Sequence, residues 1–496
     1  MSKNNYKSLI IDRQRLDGVF RSAFLSYFLI KEKKIESLVI SSSNQKSNSI
    51  KLYKKLGLNN FIFIDKEKYN FKNFLYLFQS LYFTIQFSFK FFFFKKNLKL
   101  ENFKIKNILI GDLMLDQLIR YNEDDNLTKF RASILIKLIF STIFKVLLLQ
   151  KIVKKNYIKY LIVTSYSYMS LSSLAIRVIL KNNGIAVMIG GGSYQIFKNY
   201  NECLKGFSSS SELNLQKVKI FTKNKKNMKI VNNYLTKRIN YKKDKRKKLL
   251  SPYEIEISQA YSKQNFSKKK IYKILGFQDL NKPMCVFGLH AFRDANHLYG
   301  KLLFESYFQE FIETIEYLKD KDEFYWVFKI HPYSKRYREE KLAFNIINKT
   351  KLKNIHLVPD YISTKSILLA ADKLVTSRGT IAIEYASIGK KPIVTANSYY
   401  SNFGFTNYVK NRKNYFKVLI DKNYPSFIST KKKDTAKTVL YIIKNIAANE
   451  NKFNITSPEH EIGSKKFLNQ INKKIDRIFD EKNLIYKEYK DLFDKI

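Results

Sequence analysis

The residues most able to do chemistry in this sequence follow two stretches with the pattern of buried strands. His331 and Pro332 come directly after the apolar run Trp326–Ile330, and the turn Ser377–Thr380 comes directly after the run KLVT. In parallel α/β sheets, ligands bind where strands end and helices begin. A turn with hydroxyls, a glycine and free N–H groups at the start of a helix is a natural seat for a phosphate. These residues therefore predict a phosphate-binding site with His331 beside it.

The segment after this turn completes a βαβ unit and adds a carboxylate. The helix IAIEYASI carries Glu384 one turn past Thr380 and ends at Gly389, and the strand IVTA follows. A carboxylate on that helix face can accept hydrogen bonds from ribose hydroxyls. Structural interpretations stay open for each feature: Ser377 or Thr380 as a helix N-cap, Gly389 as a C-cap, Glu384 as a solvated helix residue and His331 as a structural histidine.

The runs KIHPYSKRY and TSRGTIAIEYASIGKKPIVTANSYY resemble capsular polysaccharide glycosyltransferases of the Kdo-transferase and bacterial sialyltransferase type. In those families an HP motif and a later turn rich in Ser and Thr hold the phosphate of a nucleotide sugar. The family fold is GT-B, in which two Rossmann-like domains face each other across a cleft. The resemblance implies a donor site formed by His331, Pro332, Ser377, Arg378, Gly379, Thr380 and Glu384.

A second group of polar residues lies in the loop HAFRDANHLYG, after the predicted strand MCVFGL. His290 and His297 can donate hydrogen bonds to a leaving phosphate, and Asp294 can orient one of them. The loop resembles loops of capsule-type transferases that lie over the donor. That resemblance implies donor binding by Arg293 and His297 and catalytic roles for His290 and Asp294. A purely structural loop and a metal site of two histidines and one aspartate stay open as alternatives.

Carboxylates in the first half of the chain are the candidates for a general base. The run ILIGDLMLDQLIRY predicts a strand and then a helix with Asp112, Asp116 and Arg120 on one face. It resembles a GDLIYD signature of surface-polysaccharide enzymes, and inverting GT-B enzymes keep their base in the first domain. Such a carboxylate need only accept a hydroxyl proton. We therefore expect Asp112 as the base, with Asp17 and Asp116 next; the alternative is a capping Asp112 paired with Arg120.

Length and composition favour a two-domain globular protein. A chain of 496 residues is too long for one ordinary core, and 45% hydrophobic with 27% charged residues is typical of globular domains. The formal net charge of +49 favours a polyanionic partner, such as nucleic acid, anionic lipid or an acidic glycan with its nucleotide-linked donor. A general compositional bias is the alternative, because the lysines are spread along the chain. Cys203 and Cys285 lie far apart, as in proteins of a reducing cytoplasm.

Two apolar stretches, Phe71–Phe94 and Leu135–Val153, combine an apolar face with a basic flank. Each predicts either an interfacial helix on a membrane surface or a core helix of the first domain. Neither contains the run of about 18 uncharged apolar residues that a spanning helix needs, so none is expected. The N-terminus has no continuous apolar core, which predicts no signal peptide.

These patterns predict an α/β fold of the GT-B type, with two Rossmann-like domains facing across a cleft and a C-terminal helix that crosses back to the first. The expected divisions are 1–235 for the acceptor-side domain, 236–275 for a basic connecting segment, 276–450 for the nucleotide-sugar-binding domain and 451–496 for the returning helices.

The expected function is transfer of a sugar from a nucleotide-sugar donor to a growing surface polysaccharide, in a single displacement without metal or cofactor. A CMP-linked donor fits the resemblance. The expected partners are a glycan or glycolipid acceptor, the inner-membrane surface and the polysaccharide export machinery, all at the cytoplasmic side, and no nucleic acid is expected. Two alternatives stay open. One is a CDP-polyol phosphotransferase of the teichoic-acid type, which would need further histidines in the first domain. The other is a basic protein that binds nucleic acid or membrane.

Overall fold

The computed structural model describes residues 6–13, 16–42, 47–67, 70, 73–93, 99–122, 124, 126–127, 129–166, 168, 170–190, 194–205, 215–239, 263–350, 352–443, 469 and 478–496. The chain divides into two compact units. The first comprises Met1–Leu118, Lys129–Ser211 and Ala448–Ile496, and the second comprises Ile119–Thr128 and Glu212–Ala447.

The described strands and helices are numbered here in chain order. The strands are β1 (Lys7–Ile11), β2 (Glu36–Ser41), β3 (Phe61–Phe63), β4 (Lys104–Ile105), β5 (Ile108–Leu109), β6 (Ile158–Val163), β7 (Ile185–Ile189), β8 (Tyr194–Phe197), β9 (Met284–Gly288), β10 (Tyr325–Lys329), β11 (Ile355–Leu357), β12 (Lys373–Thr376), β13 (Ile393–Val394) and β14 (Asn407–Tyr408). The helices are α1 (Leu16–Lys33), α2 (Asn48–Lys55), α3 (Ile64–Glu67), α4 (Phe74–Phe93), α5 (Gly111–Tyr121), α6 (Ala132–Lys155), α7 (Leu171–Lys181), α8 (Tyr200–Leu204), α9 (Leu215–Lys223), α10 (Lys225–Ile239), α11 (Lys268–Ile274), α12 (Tyr307–Leu318), α13 (Glu340–Thr350), α14 (Thr364–Ala370), α15 (Ile381–Ser387), α16 (Arg412–Ile420), α17 (Thr430–Tyr441) and α18 (Leu484–Phe493).

The first unit is built on a six-stranded sheet in the order β3-β2-β1-β6-β7-β8. Its strands are parallel except β8, which runs antiparallel to β7. By chain rank this is the Rossmann order, whose switch point lies between the first and fourth strands, here β1 and β6. Helix α1 starts close to that point, because a Cβ added to Gly18 would lie 2.9 Å from Thr164 Oγ1, directly after β6. Gly18 therefore allows the helix to approach the strand end closely.

The strand predicted before Asp112 is present as β5, but it is not part of the six-stranded sheet. Strand β5 pairs antiparallel with β4 in a separate two-stranded sheet. Lys106 and Asn107 both have positive φ, 46° and 63°, which closes the two-residue turn typical of antiparallel hairpins. Gly111 then starts α5 at a place where a Cβ would lie 1.8 Å from the Leu100 carbonyl oxygen, so only glycine fits there.

The second unit has a six-stranded sheet in the order β11-β10-β9-β12-β13-β14, parallel throughout. Strands β9 and β10 are buried along their whole length, which explains their unbroken apolar runs. The Rossmann order is repeated, with the switch point between β9 and β12. The prediction of an α/β protein with two Rossmann-like domains is therefore confirmed, and two such domains are the components of a GT-B fold.

The C-terminal helix α18 packs on helix α1 of the first unit. Tyr489 is fully buried there, and its ring lies 4.8 Å from that of Phe24 in an edge-to-face arrangement at 90°. Such aromatic contacts add to the energy of simple burial. Among the predicted returning helices, residues 451–468 and 470–477 lie outside the described residues.

The predicted domain boundary at residue 235 is wrong. Val218 and Val231, from α9 and α10, are fully buried against Ala382 and Ile383 in a core cluster of the second unit. Both helices carry one apolar stripe, which must be covered by a partner, and the second unit supplies that partner.

The predicted connecting segment 236–275 is also wrong at its end. Residues 240–262, which include the basic run, lie outside the described residues. Helix α11 is part of the second unit, because Ile271 and Tyr272 are buried in its core. The predicted start of that domain at 276 is therefore several residues too late.

Helix α6 belongs to the core of the first unit and packs against α4, α7 and β6. It is the one helix of the described residues long and apolar enough to cross a membrane, and 50% of its most apolar window is buried. Ile139, Ile143 and Leu149 have no exposed surface. Of the two interpretations of this stretch, the structure favours a core helix.

Candidate functional site

A concave pocket lies at the carboxyl ends of β9, β10 and β12. This is the switch point of the second sheet, where ligands of such sheets bind. The predicted residues that line it are His331, Pro332, Gly379, Thr380 and Glu384. The structure thus brings together residues from two different strand ends that the sequence places about 50 residues apart.

His331 occupies the N-cap of the short 3₁₀ helix Pro332–Tyr337 and presents a hydrogen-bond donor. Its Nδ1 accepts a hydrogen bond of 3.1 Å from the Tyr333 backbone N–H, which places the proton of the neutral ring on Nε2. Burial lowers the pKa of His331 to about 4; Asp294 opposes this effect and Lys329 adds to it. At neutral pH the ring is therefore an uncharged donor.

His290 is held between aromatic rings and the turn after β12. Its ring stacks on Tyr307 at 4.4 Å and lies parallel to His331 at 6.0 Å. Nε2 accepts a hydrogen bond of 3.3 Å from the Arg378 backbone N–H. Burial, together with the neighbouring His331 and Arg378, holds the pKa of His290 well below its usual range. The two imidazoles are thus both neutral near pH 7.

The turn after β12 is held in place by Thr376, the last residue of that strand. Thr376 Oγ1 donates to the Gly288 carbonyl at 2.7 Å, and a Cβ on Gly379 would lie 2.9 Å from that same Oγ1. Thr380 is the N-cap of α15, yet its side chain makes no capping hydrogen bond. The interpretation of Thr380 as a side-chain cap is therefore not supported, and its hydroxyl faces the pocket that it lines.

Gly389 ends α15 as the sequence predicts. Its φ is +99°, and its N–H donates to the Ala386 carbonyl while the Lys390 N–H donates to the Tyr385 carbonyl. This is the Schellman arrangement that favours glycine. Within α15, Glu384 is only 8% exposed and lines the pocket, so the interpretation as a solvated helix residue is wrong.

Two buried cations lie on the segments that form this pocket: Lys329 lines it, whereas Arg378 belongs to the turn after β12 and is not among the lining residues. Arg378 is 6% exposed, and its Nη2 donates to the Gly300 carbonyl at 3.2 Å. Its Nε and Nη1 have no hydrogen-bond partner among the described residues. Lys329, which sequence reasoning missed, lines the pocket at the end of β10. Burial and the charge of Lys263 lower the pKa of Lys329 to about 8, while the charge of Asp360 partly opposes this shift. Unsatisfied buried donors of this kind call for an explanation, and an anionic ligand supplies one.

The loop after β9 is held by polar contacts that use several predicted residues structurally. The Glu339 carboxylate accepts from the backbone N–H groups of Phe292 and Arg293, at 2.7 and 2.9 Å. Asp294 accepts from the Tyr337 hydroxyl at 2.9 Å, and Arg293 Nε donates to the Asn122 carbonyl at 3.1 Å.

His297 is not among the residues that line the pocket at the switch point. Asp294 raises the pKa of His331 through its charge and is not among the causes of the pKa shift of His290. Within the described residues, no group of three or more His, Cys, Asp and Glu side chains comes together as a metal site would require.

A second, smaller pocket is lined by His290 and contains a carboxyl group that the sequence did not reveal. Glu310, in the first turn of α12, accepts a hydrogen bond of 2.6 Å from Thr395 Oγ1. Burial raises the pKa of Glu310 to about 7, against the lowering effects of Thr395 and Arg378. An acidic residue in the first turn of a helix usually indicates only a favourable dipole interaction, so the sequence contains no signal for a functional role of Glu310.

We expect Glu310→Gln to change the pH dependence of stability. Between about pH 4.5 and 7, folded Glu310 keeps a proton that the unfolded chain loses, so stability falls as pH rises through this window and then levels off. The Gln variant lacks this loss and should therefore gain about 1–3 kcal/mol relative to the native protein at pH 8, but little at pH 4.

Urea denaturation at both pH values measures this difference. Glu316→Gln, an exposed change on the same helix α12, serves as the control and should shift stability equally at the two pH values. An equal shift for Glu310→Gln as well would contradict the assigned pKa.

The three carboxylates of the first unit that are predicted as candidate bases are either buried or paired with an arginine. Both oxygens of Asp112 bind Arg177, with Oδ1–Nη1 at 2.5 Å and Oδ2–Nη2 at 2.7 Å. Asp112 therefore pairs across to α7 and not with Arg120, whose guanidinium lies 3.9 Å from the Tyr337 ring. Asp116 is 1% exposed.

Asp17 stands nearest the switch point of the first sheet. It starts α1 next to Gly18, which approaches Thr164 at the end of β6. Its Oδ2 accepts from Arg21 at 2.8 Å. The predicted strand end and the resemblance ranked Asp112 first, whereas the structure places Asp17 in the first turn of α1, close to the switch point where ligands of such sheets bind.

No family model matches the chain, and no curated protein matches it by sequence. Solved structures similar to it include UDP-GlcNAc 2-epimerase from Methanocaldococcus jannaschii in complex with UDP-GlcNAc and UDP, at 11% identity over 88% of this chain and 99% of that one, with a TM-score of 0.23. A glycosyltransferase from Rickettsia africae matches at 13% identity over 98% and 99%, with a TM-score of 0.24. The β Kdo 2,4 transferase KpsC from Thermosulfurimonas dismutans matches at 13% identity over 38% and 56%, with a TM-score of 0.22.

Proposed function

We propose that the protein is a glycosyltransferase that takes a sugar from a nucleotide-sugar donor and adds it to a surface polysaccharide. One observation carries the proposal: His331, Thr380 and Glu384 line the same pocket at the switch point of a Rossmann-like sheet. A neutral imidazole donor, a hydroxyl and a carboxylate one helical turn away match the phosphate and ribose of a nucleotide.

The chemistry would be a displacement at the anomeric carbon, with a nucleotide phosphate as leaving group. His331 Nε2–H, the hydroxyls of the Ser377–Thr380 turn and the guanidinium of Arg378 would stabilise the charge that develops on that phosphate. Buried donors of this kind are strongest where water is excluded. The protein's own side chains therefore supply positive charge and hydrogen bonds for the departing group.

A carboxylate of the first unit would accept the proton of the acceptor hydroxyl. We propose Asp17 for this role, ahead of Asp112 and Asp116, because Asp112 has both oxygens committed to Arg177. Asp17 pairs with Arg21 through Oδ2. A glycan or glycolipid acceptor at the cytoplasmic side of a membrane is the proposed second substrate.

A thermal-shift screen with CMP, UDP and CDP tests the donor site. We expect one nucleotide to raise the melting temperature, because ligand that binds only the folded state stabilises it. His331→Ala should abolish the shift. His356→Ala, whose ring packs on Phe277 away from the pocket, should keep it.

Two outcomes would point elsewhere. Retention on DNA or heparin at moderate salt, without any nucleotide shift, would favour a basic binding protein. Conversion of UDP-GlcNAc without an acceptor would favour an epimerase. With the bound nucleotide known, a transfer assay in which Asp17→Asn loses activity and keeps the nucleotide shift would support the assignment of the base.

A further inference from the structure

Helix α4 exposes a continuous apolar face in the first unit. Its first sixteen residues, Phe74–Phe89, contain no charged side chain. Seven large apolar side chains are between 48% and 64% exposed, and their spacing of three and four residues puts them on one side of the helix. They are Phe74, Leu75, Phe78, Leu81, Tyr82, Ile85 and Phe89. Scattered apolar residues on a surface are ordinary, whereas a contiguous face of this size indicates an interaction site.

The opposite side of α4 fixes its orientation on the protein. Ser80 and Thr84 are buried, and α4 packs along α6. The ring of Phe87 lies 3.9 Å from that of Phe103, tilted by 41°, and Lys151 of α6 donates to Asn73 Oδ1 at 2.7 Å. The helix is therefore held by its small and polar face, and its aromatic face points away from the unit.

Lysines follow this face in the sequence, and one of them, Lys106, lies beside it. Residues 89–106 contain six lysines and one glutamate. Of these lysines, Lys99, Lys104 and Lys106 are exposed, and Lys106 lines a shallow depression together with Phe78 and Tyr82. At the start of α6, Ile134 and Lys137 are also exposed. An apolar strip with a basic rim is the arrangement of interfacial helices that lie on anionic lipid.

The charge of the chain decides between possible occupants. A second copy would bring two molecules of formal charge +49 together. A nucleic acid would match the lysines but would leave seven apolar side chains in water. A bilayer with anionic headgroups satisfies both features at once, because the headgroups pair with lysines while the acyl boundary accepts the aromatic side chains.

We propose that helix α4 is a docking surface for an anionic lipid bilayer, with Phe78, Tyr82 and Ile85 at its centre. The surface belongs to the first unit and the pocket at the ends of β9, β10 and β12 belongs to the second, and the proposal does not depend on the enzyme activity. It predicts that the intact protein binds membranes without a spanning helix.

The first experiment is sedimentation of the intact protein with vesicles of phosphatidylcholine alone or mixed with phosphatidylglycerol. We expect binding to the mixed vesicles, and at least about tenfold weaker partitioning for the triple change Phe78→Ser, Tyr82→Ser, Ile85→Ser. The matched control is Phe427→Ser with Leu484→Ser, because these side chains are 76% and 78% exposed at other places on the surface. The control should bind vesicles as the native protein does, and the nucleotide-induced thermal shift should be the same in all three proteins.

A second measurement keeps the proposal testable if the triple variant misfolds. The chain has one tryptophan, Trp326, which is fully buried in the second unit. Tyr82→Trp should therefore add an exposed fluorophore whose emission shifts to the blue and is quenched by brominated lipid when anionic vesicles are added. Unchanged emission, equal vesicle binding by the triple variant, or a change of oligomeric state in place of a change in vesicle binding would each overturn the proposal.

Discussion

We expect Asp112→Ala to lower the free energy of unfolding by about 3–5 kcal/mol, the cost typical of leaving a buried charge without its partner. Arg177 is 1% exposed, and Asp112 receives two of its N–H groups. Burial would lower the pKa of Arg177, yet Asp112 outweighs it and holds that pKa well above its usual range. Without Asp112, the guanidinium keeps its bond to the Leu109 carbonyl and a long contact with Tyr166.

Urea-induced unfolding followed by circular dichroism measures this effect. The control is Glu36→Ala, which removes a surface pair with Lys7 in the same unit and should cost less than about 1 kcal/mol. The double change Asp112→Leu, Arg177→Met should recover most of the stability, because apolar residues of similar size replace buried pairs well. A folded, fully stable Asp112→Ala protein without transferase activity would instead restore Asp112 as the base.

The case of Asp112 shows what a single sequence can and cannot reveal about a site. The helix GDLMLDQLIRY was predicted from its periodicity, and α5 covers those residues. The partner of Asp112 lies 65 residues further along the chain, on α7, and no local pattern identifies it. Local signals specify elements and their ends, whereas ion pairs between elements depend on tertiary packing.

The second unit was easier to predict, because its site is built from strand ends. Apolar runs marked β9, β10 and β12, and parallel strands bring their carboxyl ends to one edge. His331, Thr380 and Glu384 can therefore be assigned to one site from the sequence alone, and they line the same pocket. Glu310 and Lys329 were missed, since one sits in a helix and the other is the last residue of a buried strand.

Two stretches of similar composition had different outcomes. Both α4 and α6 are long apolar helices with basic flanks, and the sequence left core and surface interpretations open for each. Helix α6 packs against α4, α7 and β6, whereas α4 is covered mainly on the side that faces α6. Composition and period give the width of an apolar stripe but not the number of neighbours available to cover it.

We expect Arg378→Met to weaken nucleotide binding and yet stabilise the ligand-free protein. The guanidinium is 6% exposed, and two of its nitrogen atoms lack a partner among the described residues. Removing unsatisfied buried donors relieves a desolvation cost, so the melting temperature without ligand should rise. Losing a charge-assisted donor to the phosphate should reduce kcat/KM about 10²–10³-fold and greatly reduce the nucleotide-induced thermal shift.

A rise in the melting temperature without ligand, together with a loss of nucleotide binding, distinguishes a ligand-binding arginine from a structural one. Melting is best compared at pH 6, because the pKa of Glu310, about 7, keeps that neighbouring carboxyl mostly protonated there. Arg412→Met is the matched control: Arg412 pairs with Glu305 and Glu313 in the same unit, so its loss should lower stability slightly and leave the nucleotide shift intact. Arg378→Lys keeps a positive charge without the planar fork and should recover only part of the affinity. If the Arg378→Met protein is less stable without ligand and binds nucleotide normally, the guanidinium has a structural role. The proposed anion site would then consist of His331 and Lys329 without Arg378.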